Sequence, residues 1–236
     1  MTHTQDFDQL VTALKPFVTA TADAACDTAL VFNCHMGRGR TTTGMVCASI
    51  LTLAARGWAP PEGAPLALPA PDACGRDPAR GEYASILQLL QVVDQAAHRP
   101  ELEPTPSKFK QRRVSLRTGL SSLGVKAKLL VDHCAHDCKH TQHLVRSVSD
   151  CVQKASAVPE ASRAAFWRHR ALKYLERYAY VLLFASYALL AAGTSFDTTF
   201  SEWTRRHWHF KRALKDLSVE DESAPSLDRQ GSLASS

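Results

Sequence analysis

The chain lacks several features, and each lack removes a class of protein. The opening run Met-Thr-His-Thr-Gln-Asp-Phe-Asp has no apolar core, so no secretory leader is predicted. The longest uncharged apolar stretch, Tyr178 to Gly193, falls short of the roughly 18 residues expected of a membrane span, so no transmembrane segment is predicted. The seven cysteines, Cys26, Cys34, Cys47, Cys74, Cys134, Cys138 and Cys151, are odd in number and show no framework spacing. That argues against a disulfide-stapled domain and for the cytosol, where thiols stay reduced. The lysine of a Gly-x4-Gly-Lys-Ser/Thr loop is absent, and Gly37, Gly39 and Gly44 do not have Gly-x-Gly-x-x-Gly spacing, which excludes the two common nucleotide loops. Zinc-finger spacing is missing too, and no metal or other cofactor is expected.

What remains is a globular chain. Its 236 residues, 45% of them hydrophobic, can bury a sizeable core, either as one large domain or as a partial catalytic domain with a helical companion. The formal net charge of +5 is modest and partly clustered, so it suits an anionic small molecule or lipid headgroup as well as nucleic acid. No nucleic-acid-reading motif accompanies it, and no nucleic-acid partner is expected.

Residues 29 to 45, Ala-Leu-Val-Phe-Asn-Cys-His-Met-Gly-Arg-Gly-Arg-Thr-Thr-Thr-Gly-Met, carry the chemistry. The apolar run Ala29 to Phe32 predicts a short buried strand, Cys34 to Arg40 a tight loop, and Thr41 to Ala55 a helix. A strand, loop and helix start in that order put backbone N–H groups in a ring. Unpaired donors and the helix dipole both favour an anion there. Cys34 opens this loop and Arg40 opens the helix. A thiol at a helix N-terminus beside cations ionises near neutral pH.

The pattern Cys-x5-Arg-Thr resembles the cysteine-dependent phosphatases. The resemblance implies that Cys34 attacks phosphorus in line, that Arg40 grips two equatorial oxygens, and that Thr41 hydrogen-bonds the sulfur and eases turnover of the cysteinyl-phosphate. His35, Met36, Gly37, Arg38, Gly39 and Arg40 would line the substrate. Such an enzyme also needs a general acid, usually an aspartate on a loop before a helix. Asp6 is the nearest candidate, but the chain begins almost at the predicted helix Asp6 to Phe17, where Asp6 or Asp8 is equally placed to cap it. The strands that normally flank Ala29 to Phe32 would also lie before Met1, so the sequence reads as a fragment or truncated form of a phosphatase fold.

Gly57 to Gly81, rich in proline, alanine and glycine, reads as a flexible connection. Glu82 to Ala97 predicts a core helix, and Arg99 to Gly124 a basic loop with Lys108, Lys110, Arg112, Arg113 and Arg117, solvated or in contact with an anionic membrane or polyphosphate. Lys126 to Lys154 predicts one long helix. At about 100° per residue, His133, His136, His140 and His143 then share a stripe, while Cys134 and Cys138 join Leu130, Val145, Val148 and Val152 on the apolar face. Cysteines and histidines point apart, so no single tetrahedral site can use both. Phe166 to Ala192 predicts the central helix of a bundle, Phe196 to Leu217 an amphipathic helix pair, and the serine-rich tail from Ser218 disorder.

The fuller signature Phe32-Asn-Cys-His-Met-Gly-Arg-Gly-Arg-Thr-Thr-Thr-Gly-Met45 is similar to that of the paladin family, large proteins with tandem phosphatase-like modules related to the phytase-like phosphatases. Gly81-Glu-Tyr-Ala-Ser-Ile-Leu, Val131-Asp-His-Cys134 to Leu144-Val-Arg146, Arg170 to Tyr178 and Phe200-Ser-Glu-Trp203 agree with it in order. Asn33 stands where most tyrosine phosphatases have histidine, which fits paladin. The resulting expectation is an α/β fold: a partial phosphatase module in residues 1–58, a linker in 59–80, a helical region in 81–217 and a tail in 218–236. The expected function is a phosphomonoesterase acting on inositol phosphates or phosphoinositides, because His35 and Arg38 add positive charge to the loop. The alternative is a pseudophosphatase that binds phosphorylated ligands as a scaffold.

Overall fold

The computed structural model describes residues 4–19, 29–33, 40–74, 76–98, 122–138 and 141–219. Where apolar residues recur at helical spacing, helices form. In α1 (Thr4–Val18), Phe7, Val11 and Leu14 fall one turn apart and are buried together. Helix α2 (Arg40–Ala55) buries Val46, Cys47, Ile50, Leu51 and Ala54. It ends where Gly57, at φ 73°, donates its N–H to Ala54 O while Trp58 N–H reaches back to Leu53 O. This paired closure uses a residue that tolerates the left-handed conformation to satisfy the last carbonyls, and it turns Trp58 onto the core.

The described residues of 59–83 are irregular apart from a 3-10 turn, Pro78–Arg80, capped by Asp77 Oδ1 accepting from Ala79 N–H at 2.9 Å. Leu68 within it packs on the core. Helix α3 (Ala84–His98) follows. The next helix, α4 (Leu123–Cys138), crosses it tightly: Gly124 donates its N–H to Asp94 Oδ1 at 2.7 Å, and a Cβ at Gly124 would sit 2.8 Å from Leu90 O.

The single long helix expected over Lys126 to Lys154 is instead two, α4 and α5 (Thr141–Ala157). The apolar face survives the break, since Leu130, Cys134, Val145, Val148 and Cys151 are all buried. Helix α6 (Ala161–Ala191) forms a hairpin with α5 and is the axis of the fold. Its second half is apolar all round because α2, α3, α4, α5 and α7 (Phe200–Arg206) pack on α6, and α1 adds the Phe7 ring against Tyr180 and Phe184. By length and composition the stretch Ala161–Thr194 is sufficient to cross a membrane, contrary to the expectation from its uncharged stretch alone, but 67% of its most apolar window is buried against the other helices. It serves here as the core helix. Helix α8 (Trp208–Lys215) pairs with α7 as expected, and one continuous core runs from Phe7 to Val219.

Two further expectations are corrected. No strand forms among the described residues, so the structure is mostly helical: residues 29–33 carry no ladder, and Leu30 and Val31 are 39% and 87% exposed. A strand exists only when paired, and no described residue pairs with this segment in a ladder. Nor does Asp8 cap α1, because it lies inside the helix and its carboxylate accepts from Ser201, while Asp6 lies in the first turn. The basic stretch Lys108 to Arg117 and the tail from residue 220 lie outside the described residues.

Candidate functional site

The site is the start of α2. Cys34, His35, Met36, Gly37, Arg38 and Gly39 lie outside the described residues, and Arg40 is placed by its backbone alone, as the first residue of the helix. The two ends of the loop are nevertheless fixed. On the incoming side, Phe32 packs on the core and lays its ring against Gly44, one turn inside α2. A Cβ at Gly44 would lie 3.0 Å from Phe32 Cδ1 and 3.4 Å from Cε1. Glycine at this position lets the residue two before Cys34 meet the helix that begins at Arg40. Sequence periodicity missed this contact, although an isolated glycine inside a helical run signals close approach.

On the outgoing side, the first turn of α2 has no acidic residue, so no carboxylate of its own neutralises the positive end of the helix dipole. Thr42 and Thr43 are buried and anchor this turn. The Thr41 hydroxyl is buried and has no hydrogen-bond partner among the described residues. An unsatisfied buried hydroxyl carries a desolvation cost, and one placed at the start of a helix is suited to meet a ligand or loop atom.

Asp6 lies in the first turn of α1, a helix that packs on α2. Asp8 is engaged elsewhere: its Oδ1 accepts the Ser201 N–H at 3.0 Å.

Several other cysteines are excluded as nucleophiles by their surroundings. Cys47 and Cys151 are buried, and burial pushes both thiols up, away from the thiolate that attacks phosphorus. Cys134 is buried on α4 as its spacing predicts, and His133 on the same helix is exposed, 6.2 Å from the Trp58 ring. The side chains of His136, Cys138, His140 and His143 lie outside the described residues. No group of three potential metal ligands occurs among the described residues.

Comparison with known proteins places this arrangement. Residues 2–52, which include the whole of α1, the loop and most of α2, match the family model of PTP-like phytases, described by the words inositol hexakisphosphate. Beyond that module the likeness is to the paladins. The chain is 32% identical to paladin of Gallus gallus over 203 residues, 85% of this chain and 20% of that protein. It is 29% identical to paladin of Mus musculus over 202 residues and 29% identical to paladin of Homo sapiens over 200 residues, covering 85% and 84% of this chain and 20% of each relative. The chain is thus a homologue of the paladins, with a PTP-like module at its N-terminal end, and it spans about a fifth of the length of these relatives. No solved structure matches it.

Proposed function

We propose that this chain carries the phosphate-binding site of a cysteine-dependent phosphomonoesterase acting on inositol phosphates or phosphoinositides. The observation that carries the reading is the PTP-like phytase match over a segment that contains Cys34, Arg40 and Thr41 in the order such chemistry requires. In this reading the Cys34 thiolate forms the S–P bond as the P–O bond to the leaving alkoxide breaks, and the alkoxide takes a proton from a general acid. Water then cleaves the S–P bond and releases phosphate and the thiolate. Arg40 holds two equatorial oxygens through both steps, His35, Met36, Gly37, Arg38 and Gly39 line the substrate, and Thr41 presents its unpartnered hydroxyl to the sulfur. A reducing compartment, the cytoplasm, keeps the thiolate available.

A pseudophosphatase that reads phosphorylated ligands without turnover is the second reading, and one contact favours it. Of the two aspartates on α1, Asp8 is held by Ser201, which leaves proton donation to Asp6 or to a residue outside those described.

Phosphate release from inositol polyphosphates, phosphoinositides and a phosphotyrosine peptide tests both. Hydrolysis of the inositol compounds, lost in Cys34→Ser with vanadate binding retained in a folded protein, supports the enzyme. Arg40→Lys should lower turnover by about a hundredfold or more, because lysine cannot make the bidentate grip. Binding without turnover supports the scaffold, and preference for the phosphotyrosine peptide overturns the substrate assignment.

A further inference from the structure

Helix α8 has two unlike faces. Phe210 is buried and Leu214 packs on the core, while Trp208, Lys211, Arg212 and Lys215, at i, i+3, i+4 and i+7, share the opposite face. All four are exposed, Trp208 by 42%, and Arg205 at the end of α7 is exposed and lines a shallow depression with Lys211. Arg212 lies 3.9 Å from Asp216, but Arg205, Lys211 and Lys215 have no carboxylate partner among the described residues.

We propose that this face docks on an anionic lipid bilayer, with the Trp208 indole at headgroup level and Lys211, Arg212 and Lys215 against the lipid phosphates. An indole among cations on one helix face matches the two components of such a surface: the amphipathic ring prefers the interface, and flexible lysine and arginine stems let the charged heads follow lipid phosphates. Charge complementarity selects the bilayer's anionic lipids, and a convex two-turn helix needs no groove to meet a flat surface. The proposal does not rest on the phosphate loop, so it stands or falls separately from the catalytic reading.

The test uses the whole chain and sedimentation with vesicles of phosphatidylcholine alone or with 30 mol% phosphatidylserine. Binding is expected only to the phosphatidylserine vesicles, and weaker at high salt. The exposed-site variant Lys211→Glu/Lys215→Glu, checked for folding by circular dichroism, should partition at least about twentyfold less, from about fivefold per cation. Because the chain has four tryptophans, brominated phosphatidylcholine mixed into the anionic vesicles should quench wild-type fluorescence measurably more than that of Trp208→Phe. Equal binding to both vesicle types, wild-type binding by the charge-reversed variant, unchanged quenching in Trp208→Phe, or binding to polyglutamate or RNA with none to vesicles would overturn the assignment.

Discussion

Ser201 donates its backbone N–H to Asp8 Oδ1 at 3.0 Å, across 193 residues of sequence. An aspartate expected to cap its own helix therefore caps another. At the same end of α7, Thr199 Oγ1 accepts from Glu202 N–H at 3.2 Å, so two of that helix's orphan donors are satisfied, one locally and one by α1.

Asp8→Ala should therefore destabilise the protein by about 0.5–2 kcal/mol, as loss of a helix cap does. Asp8→Asn keeps an acceptor oxygen and should cost less. Chemical denaturation with both variants checks this, and equal losses would mean that the carboxylate acts through charge and not through the Ser201 bond.

Tyr187 is linked to the same carboxylate. Its hydroxyl donates to Thr198 O at 2.7 Å, and burial, with the negative charge of Asp8 second, pushes it up to about 12. The unfolded chain ionises near 10, so the stability this group supplies is fully present below that pH and is lost as pH rises from about 10 to about 12. Unfolding free energy measured across that window should fall with a slope about one proton shallower in Tyr187→Phe.

Gly81 and Gly57 both sit at positive φ, 77° and 73°, yet they should respond differently to alanine. Each variant meets the left-handed penalty of about 1–2 kcal/mol. At Gly57 nothing lies within 4 Å, whereas a Cβ at Gly81 would come within 2.6 Å of the Tyr178 hydroxyl and 2.9 Å of its ring carbons. Gly81→Ala should be the more damaging in a thermal melt. Tyr178→Phe alone should be neutral or stabilising, since that buried hydroxyl has no hydrogen-bond partner among the described residues, and it should restore part of the Gly81→Ala loss.

Gly44→Ala separates helix stability from loop geometry. Alanine gains up to about 1 kcal/mol of helix propensity, but its Cβ must move the Phe32 ring at the incoming end of the loop. The expected result is a melting temperature at or above wild type together with weakened vanadate binding. Vanadate affinity equal to wild type would show that Phe32 does not set the loop.

The helices were legible because their apolar residues carry the period: Phe7, Val11 and Leu14 in α1, or Ile86, Leu89, Leu90 and Val93 in α3. The break between α4 and α5 was not, because the apolar stripe from Leu130 to Val148 keeps its phase across it and no proline or glycine marks it. The strand expected at Ala29 to Phe32 failed for a different reason. Four apolar residues record a preference for burial, but pairing depends on a second segment, and none of the described residues pairs with exposed Val31. At the site, residue type and spacing suggested Cys34, Arg40 and Thr41. The contact that joins the loop ends, Phe32 on Gly44, is a matter of shape that a one-dimensional pattern only hints at.

The Phe7 ring has a consequence for synthesis. It is enclosed by Phe184 and Phe200, each 5.0 Å away centroid to centroid, and Tyr180 lies 6.2 Å off, so its surroundings are encoded far downstream. At about 5–20 residues per second, a ribosome takes roughly 10–40 s to reach Phe200 after Phe7. Through that interval α1 can pack on α2 but lacks the full set of rings that encloses Phe7. Slowing translation between α2 and α7 should lengthen the time during which the Phe7 ring stays only partly enclosed.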